Sequence, residues 1–208
     1  MAVTAQKARR LPCAMLTPEL LRTKFEHGLA FDAYVKSGTP AQREDWQRFE
    51  RVTRDHASLD SHQRSALRDF VRKVNILIIS GLWCGDCLAQ CPLLAIIADE
   101  RPDLIDVKFL DRDKNLDLAE QVKICGGLRV PTAIFTNEDF EFVSIYGDKS
   151  LARLRAAAAR SLGASCPLPT AQVPHDEIRA TMADWLNEVE RVHLLLRLSP
   201  KLRERYAD

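Results

Sequence analysis

Cys84 and Cys87 are separated by Gly85 and Asp86 and preceded by Trp83. Two cysteines at this spacing in the first turn of a helix approach closely enough for a disulfide that encloses only two residues. Cys84 falls at the helix cap, where unpaired backbone N–H groups and the positive end of the dipole favour a thiolate over a thiol. It is the candidate nucleophile. Cys87, one turn further in and facing the protein body, is the candidate resolving thiol, which attacks the Cys84 sulfur of a mixed disulfide and frees the partner.

The elements that must hold these sulfurs follow from the flanking pattern. Asn75 to Ser80 is a short β-branched apolar run bounded by Gly81, which predicts a buried parallel strand. After the cysteines, Leu88, Ala89, Leu93, Leu94, Ile96 and Ile97 recur at helical spacing. The thiols therefore stand at the junction of a strand and a helix.

The run Trp83-Cys84-Gly85-Asp86-Cys87 resembles the active-site motif of the thioredoxin superfamily. Pro92, five residues after Cys87, matches the helix-kinking proline of that family, and Val130-Pro131-Thr132 resembles its cis-proline loop ahead of a strand. The resemblance covers about 74–162. It implies thiol–disulfide exchange through Cys84 and Cys87, with no cofactor. It also implies a substrate surface made by Trp83, Val130 and Pro131, where a cis Val130–Pro131 bond faces Cys84 and the Val130 backbone pairs with an extended client segment. Gly85 and Asp86 would modulate the pair. The partners implied are a disulfide-bearing protein or small thiol and an external reductant.

Two departures from the family bear on mechanism. Ile78 stands where thioredoxins bury a carboxylate on the first strand, and Phe109 aligns with the lysine of the next, so the usual proton-transfer pair is missing. Cys87 is then expected to keep a high pKa in an apolar setting, and Asp86 is the first carboxylate to consider as a substitute base. A carboxylate at that place favours the helix end but opposes a neighbouring thiolate, so its net effect on Cys84 has no sign from sequence.

Cys91 adds a second resemblance, because Cys84-x-x-Cys87-x-x-x-Cys91-Pro92 is similar to the tail of a bacterial ferredoxin cluster motif. The leading cysteine of that motif is replaced by Gly81. Cys91 reads first as a small buried apolar residue and second as a third redox thiol. Metal or iron–sulfur binding is the weakest reading, since Pro131 would block the thiols, and no metal ligand is assigned. Cys13, Cys125 and Cys166 read as incidental, although Cys125 lies just upstream of the Pro131 loop.

The remainder of the 208 residues surrounds this unit with helices. Thr17-Pro18 caps a first helix through Leu20, Leu21, Phe25 and Leu29. Gly38-Thr39-Pro40 opens a second through Trp46, Phe49 and Val52, and a third runs from about Ser61 to Lys73. Residues 1–73 are thus a helical extension. Strand 105–111, a short helix over 116–122, strands 132–136 and 140–146 joined at Asn137-Glu138-Asp139, and helix 151–162 complete an α/β unit. Its expected form is the thioredoxin-like fold, a mixed central sheet flanked by helices. The proline-bearing stretch 163–174 is a linker, and 176–198 is a helix whose stripe of Ile178, Met182, Trp185, Val189, Val192 and Leu196 must be covered. Packing on the same unit is the first expectation, and a homodimer through this helix is the alternative.

Thirty basic residues against twenty-nine acidic leave a formal charge of +1, which argues against electrostatic capture of nucleic acid or an anionic membrane. No leader-like or membrane-spanning apolar run occurs, and six cysteines at irregular spacing do not form a secreted disulfide framework. The expectation is a cytoplasmic protein.

Overall fold

The computed structural model describes residues 16–162 and 175–207. The linker at 163–174, together with Cys13 and Cys166, lies outside the described residues. Four helices come first: α1 (Pro18–His27), α2 (Phe31–Lys36), α3 (Pro40–His56) and α4 (Ser61–Arg68). The central unit follows as β1 (Val74–Ser80), α5 (Gly85–Glu100), β2 (Ile105–Asp111), α6 (Leu116–Ala119), β3 (Thr132–Thr136), β4 (Phe142–Gly147) and α7 (Leu151–Leu162). Two helices close the chain, α8 (His175–Arg197) and α9 (Pro200–Tyr206).

The four strands form one mixed sheet in the order β2-β1-β3-β4. β1 and β2 run parallel, β3 is antiparallel to β1, and β4 is antiparallel to β3. Every residue of β1 is buried, as its continuous apolar run requires of a strand covered on both faces. No helix among the described residues is long and apolar enough to cross a membrane.

The first expected helix is shorter than its apolar spacing suggests. Leu29 leaves it to exchange both backbone hydrogen bonds with Phe109, at 2.9 and 2.8 Å, and so covers the outer edge of β2. Gly28 permits the approach, since a Cβ there would stand 2.6 Å from Lys108 Cβ. The helix expected to reach Lys73 stops at Arg68 because distant groups satisfy its end. Arg101 Nη1 donates to the carbonyls of Leu67, Arg68 and Phe70, while the N–H groups of Val71 and Arg72 donate to His193 Nε2 at 2.9 and 3.2 Å. β4 begins at Phe142 rather than Phe140, because the Asn137 side chain takes the N–H groups of Asp139 and Glu141 and lengthens the turn. Helix α9, capped by Ser199 with Pro200 at its first position, was not foreseen.

Both extensions pack on α5. Trp46 of α3 and Trp185 of α8 are each fully buried. The first donates its indole N–H to the Leu82 carbonyl at 3.0 Å and the second to Gln90 Oε1 at 3.3 Å. The α8 stripe of Ile178, Met182, Trp185, Val189, Val192 and Leu196 is buried within this chain.

Candidate active site

Cys84 is the N-cap of α5, and its sulfur accepts the backbone N–H of Cys87 at 3.4 Å. One of the unpaired donors of the helix start is thereby aimed at that sulfur. The Cys84 thiol also reaches the Val130 carbonyl at 3.6 Å, which brings the Val130–Pro131 loop onto the motif. The Val130–Pro131 bond is cis. Cys84 is half-buried and Cys87 fully buried, and both are free thiols.

Trp83 is 53% exposed. Its ring folds back over Gly81, where a Cβ would lie 2.7 Å from the indole, and the Arg112 guanidinium sits 4.5 Å from the ring centroid. Arg112 also donates to the Leu128 carbonyl at 3.3 Å, so one side chain joins Trp83 to the approach of the proline loop. On the far side of that loop Gly147 has φ +146°, and a Cβ there would stand 2.3 Å from the Pro131 oxygen. Only glycine lets β4 lie this close to Pro131. The residue is part of the site, and its sole sequence signal was its place at the end of a strand.

Asp86 is a paired carboxylate. Its oxygens contact Lys149 Nζ and Arg153 Nη2, each at 2.8 Å, and Arg153 reaches Glu177 of α8 at 3.0 Å. Burial pushes the Asp86 carboxyl up, but the hydrogen bonds from Lys149 and Arg153 outweigh it and hold the group below the usual aspartate value. A carboxylate so stabilised accepts a proton poorly near neutrality, which argues against Asp86 as the substitute base. Gln90 fixes the same turn: its amide donates to the carbonyls of Asp86 and Asp148 at 3.2 and 3.0 Å, and its oxygen accepts from Ser150 N–H and Trp185.

The two thiols act on each other. The hydrogen bond with Cys87 and partial burial raise the Cys84 pKa, against the lowering effect of the Cys87 and Asp86 N–H groups. The helix terminus acts on Cys84 as expected but does not prevail. Cys87 is raised first of all by complete burial. Ile78 and Phe109 are neighbours across β1 and β2 and are buried, so the strand positions that carry a carboxylate and a lysine in thioredoxins are apolar here.

Cys91 is buried on α5 with its sulfur 3.6 Å from Ser80 Oγ. Cys125 is exposed in a turn beside Gly126, with φ +50°. Among the described residues no group of three or more His, Cys, Asp or Glu side chains is disposed to hold a metal ion.

The family model for thioredoxin matches residues 28–156. The chain belongs to the thioredoxin family. The match begins in the N-terminal helices, well before the strand that carries the motif. No curated protein matches the sequence. Among solved structures, a Pseudomonas aeruginosa protein of unknown function, PA1234, is similar at a TM-score of 0.63 and 17% identity, over 81% of this chain and 93% of that one. An HIV epitope scaffold is similar at the same score and identity, over 82% and 95%. These likenesses are of fold, and they cover more of the chain than the family match does. Deadhead, a germline-specific thioredoxin of Drosophila melanogaster, aligns at 22% identity with a TM-score of 0.34, over 52% of this chain and 96% of that one.

Proposed function

We propose that this protein is a thiol–disulfide oxidoreductase in which Cys84 attacks a client disulfide and Cys87 resolves the mixed disulfide. The observation that carries the reading is the placement of Cys84 between the Cys87 N–H and the Val130 carbonyl, at the mouth of α5 beside the exposed Trp83. A sulfur so placed is open to a client on one side and to a second thiol on the other. In the cycle, the Cys84 thiolate displaces one client sulfur, Cys87 displaces the other, and an external dithiol returns the Cys84–Cys87 disulfide to thiols. An extended client segment lies along Val130 and Pro131, and Trp83 supplies an apolar face for it. The chemistry needs a reducing compartment such as the cytoplasm.

Mixed-disulfide capture tests this. Cys87→Ser should accumulate disulfide-linked clients that reductant releases, and a Cys84→Ser, Cys87→Ser double variant should recover none. Recovery of the same partners by the double variant would mean that recognition does not involve exchange.

One observation favours a second reading, a redox-sensing module that does not turn over. Both thiols are held above the ordinary cysteine range, which slows attack near neutral pH. Steady-state disulfide reduction in the presence of a reductase separates the two: a sensor oxidises once and stops.

A further inference from the structure

Beneath Cys87 the core holds hydroxyl groups where packing alone favours none. Ser80 ends β1 on the sheet face that also carries Ile78, and it is fully buried. Tyr34 reaches the same place from α2. Its ring stacks on Phe109 with centroids 5.5 Å apart and meets Trp46 edge-on at 5.7 Å. Ser80, Cys91 and Cys87 are among the groups whose electrostatics its hydroxyl feels. That hydroxyl is buried and makes no hydrogen bond. A phenol O–H out of water and without an acceptor costs free energy that phenylalanine in the same slot would not.

We propose that Tyr34 and Ser80 form a buried hydrogen-bond donor set that stabilises the negative charge on the Cys87 sulfur as it attacks Cys84. The inference rests on the exchange reading above. In the resolving step the Cys87 Sγ–Cys84 Sγ bond forms and the bond from Cys84 Sγ to the client sulfur breaks. The electron pair leaves on the client sulfur, and the proton lost by Cys87 ends there as the client thiol. The donor set takes no proton. Ser80 has one proton and two lone pairs. With the Cys91 thiol, 3.6 Å away, donating to Ser80 Oγ, the Ser80 proton is free for Cys87, and the Tyr34 hydroxyl, which has no acceptor of its own, brings a second proton toward the same charge. Buried donors of this kind are polarised by the charge they serve, and in a site closed to water each is worth more than it would be in solvent.

The ionisable groups facing this cluster are Cys84, Cys91, Tyr34 and Asp111, the last being the register partner of Ser80 on β2. Burial pushes the Tyr34 hydroxyl up, and the sulfur charges push it further, so it stays protonated and acts as a donor and not as a base. The strand pair offers no alternative, since Ile78 and Phe109 line it. Tyr34 and Ser80 are positioning residues that act through Cys87.

The test uses the full chain with Cys13, Cys125 and Cys166 replaced by serine, mixed in stopped flow with 5,5′-dithiobis(2-nitrobenzoate). Attack by Cys84 releases a first equivalent of the coloured thiol, and resolution by Cys87 releases the second. Tyr34→Phe should leave the first phase unchanged and slow the second by about 10-fold at pH 7. The pH midpoint of the second phase should rise by about one unit, the same quantity read another way. Ser80→Ala should move the second phase in the same direction, and Tyr34→Phe, which keeps the ring, decides the matter if alanine at 80 unfolds the core. A second phase with unchanged rate and pH profile in Tyr34→Phe overturns the donor set while leaving exchange intact. A parent chain that releases a single equivalent, or a Cys87→Ser variant that releases two, removes the resolving role of Cys87 and this proposal with it.

Discussion

The mouth of α5 and its underside carry one sulfur each of the Cys84–Cys87 pair, and they are built from different parts of the chain. Around Cys84 the contributors are near in sequence or sit on short loops: Trp83, the Cys87 N–H and the Val130–Pro131 turn. Along the body of α5, behind Cys87, the contributors arrive from afar. Tyr34 and Trp46 come from the first helices and Trp185 from the last long one, and all three are buried. The mouth is thus a local device, whereas the helix that carries the resolving sulfur is held by both extensions. A change in the extensions should alter stability and the second half of the cycle before it touches the first.

The largest test of that contrast removes the two indoles. Trp46→Ala and Trp185→Ala should each cost about 3–5 kcal/mol, since each opens a cavity beside α5 and removes an indole hydrogen bond, to Leu82 O or to Gln90 Oε1, the latter keeping only the Ser150 N–H. Urea unfolding measures the loss. A loss under about 1 kcal/mol in either variant would mean that the extension concerned does not support the site helix. At the mouth the matching change is Gly147→Ala. A methyl 2.3 Å from the Pro131 oxygen, on a residue at φ +146°, should cost about 3 kcal/mol and displace the proline loop. Exchange should weaken at the first, Cys84-dependent phase, opposite to Tyr34→Phe.

Much of the mouth was legible in the sequence because its causes are local. A β-branched run closed by glycine, two cysteines at helical spacing and a Val-Pro-Thr ahead of a strand define it. The sheet was readable for the same reason, down to β2 and β3 at their observed limits. The underside was not. Ile78 and Phe109 announced what was missing there, but nothing in the local pattern tells that Tyr34 would lie on Phe109 or that Gln90 would meet Trp185. The end of α4 failed in the same manner: Phe70 and Val71 fit a helical stripe, and only Arg101 and His193, far off in sequence, explain why the chain leaves the helix at Arg68. The charge on Asp86 could not be weighed until Lys149 and Arg153 were found on it.

His193 gives a pH test of the same distant construction. Its Nε2 accepts two backbone N–H groups and its ring stacks on Phe70 at 3.9 Å, so it must be neutral in the fold. Burial, helped by Arg197, Arg101 and Arg72, lowers its pKa from 6.5 to about 4. The unfolded chain therefore binds this proton first, and the sign follows: stability is complete above about pH 6.5 and falls as the pH drops toward 4. The shift corresponds to about 3 kcal/mol at its full extent. The paired carboxylates Asp86 and Glu141, with ordinary values of 3.8 and 4.5, add their losses only lower down, which isolates the window from pH 6.5 to 5 for His193. Urea midpoints that stay flat across that window, or that fall equally in His193→Gln, would refute the assignment.

The smallest effect expected is at Asp86, and it bears on which sulfur the mouth favours as the anion. The carboxylate lies between the two cysteines and is ionised, but Lys149 and Arg153 stand on it at 2.8 Å, so Cys84 sees a nearly balanced group. Asp86→Asn removes the negative charge and leaves both cations, while the backbone carbonyl that holds Gln90 remains. The cations then favour a Cys84 thiolate, and its pKa should fall by up to about one unit, which raises its alkylation rate at pH 7 by roughly 3- to 10-fold. Iodoacetamide labelling read by peptide mapping separates Cys84 from the exposed Cys125. The gain should shrink with added salt, because the charges are only partly shielded from water. A slower reaction in Asp86→Asn would mean that the carboxylate serves chiefly to hold the first turn of α5, so that its loss misaligns the Cys87 N–H that stabilises the Cys84 sulfur. The charge effect and the positioning effect thus carry opposite signs, and one rate decides between them.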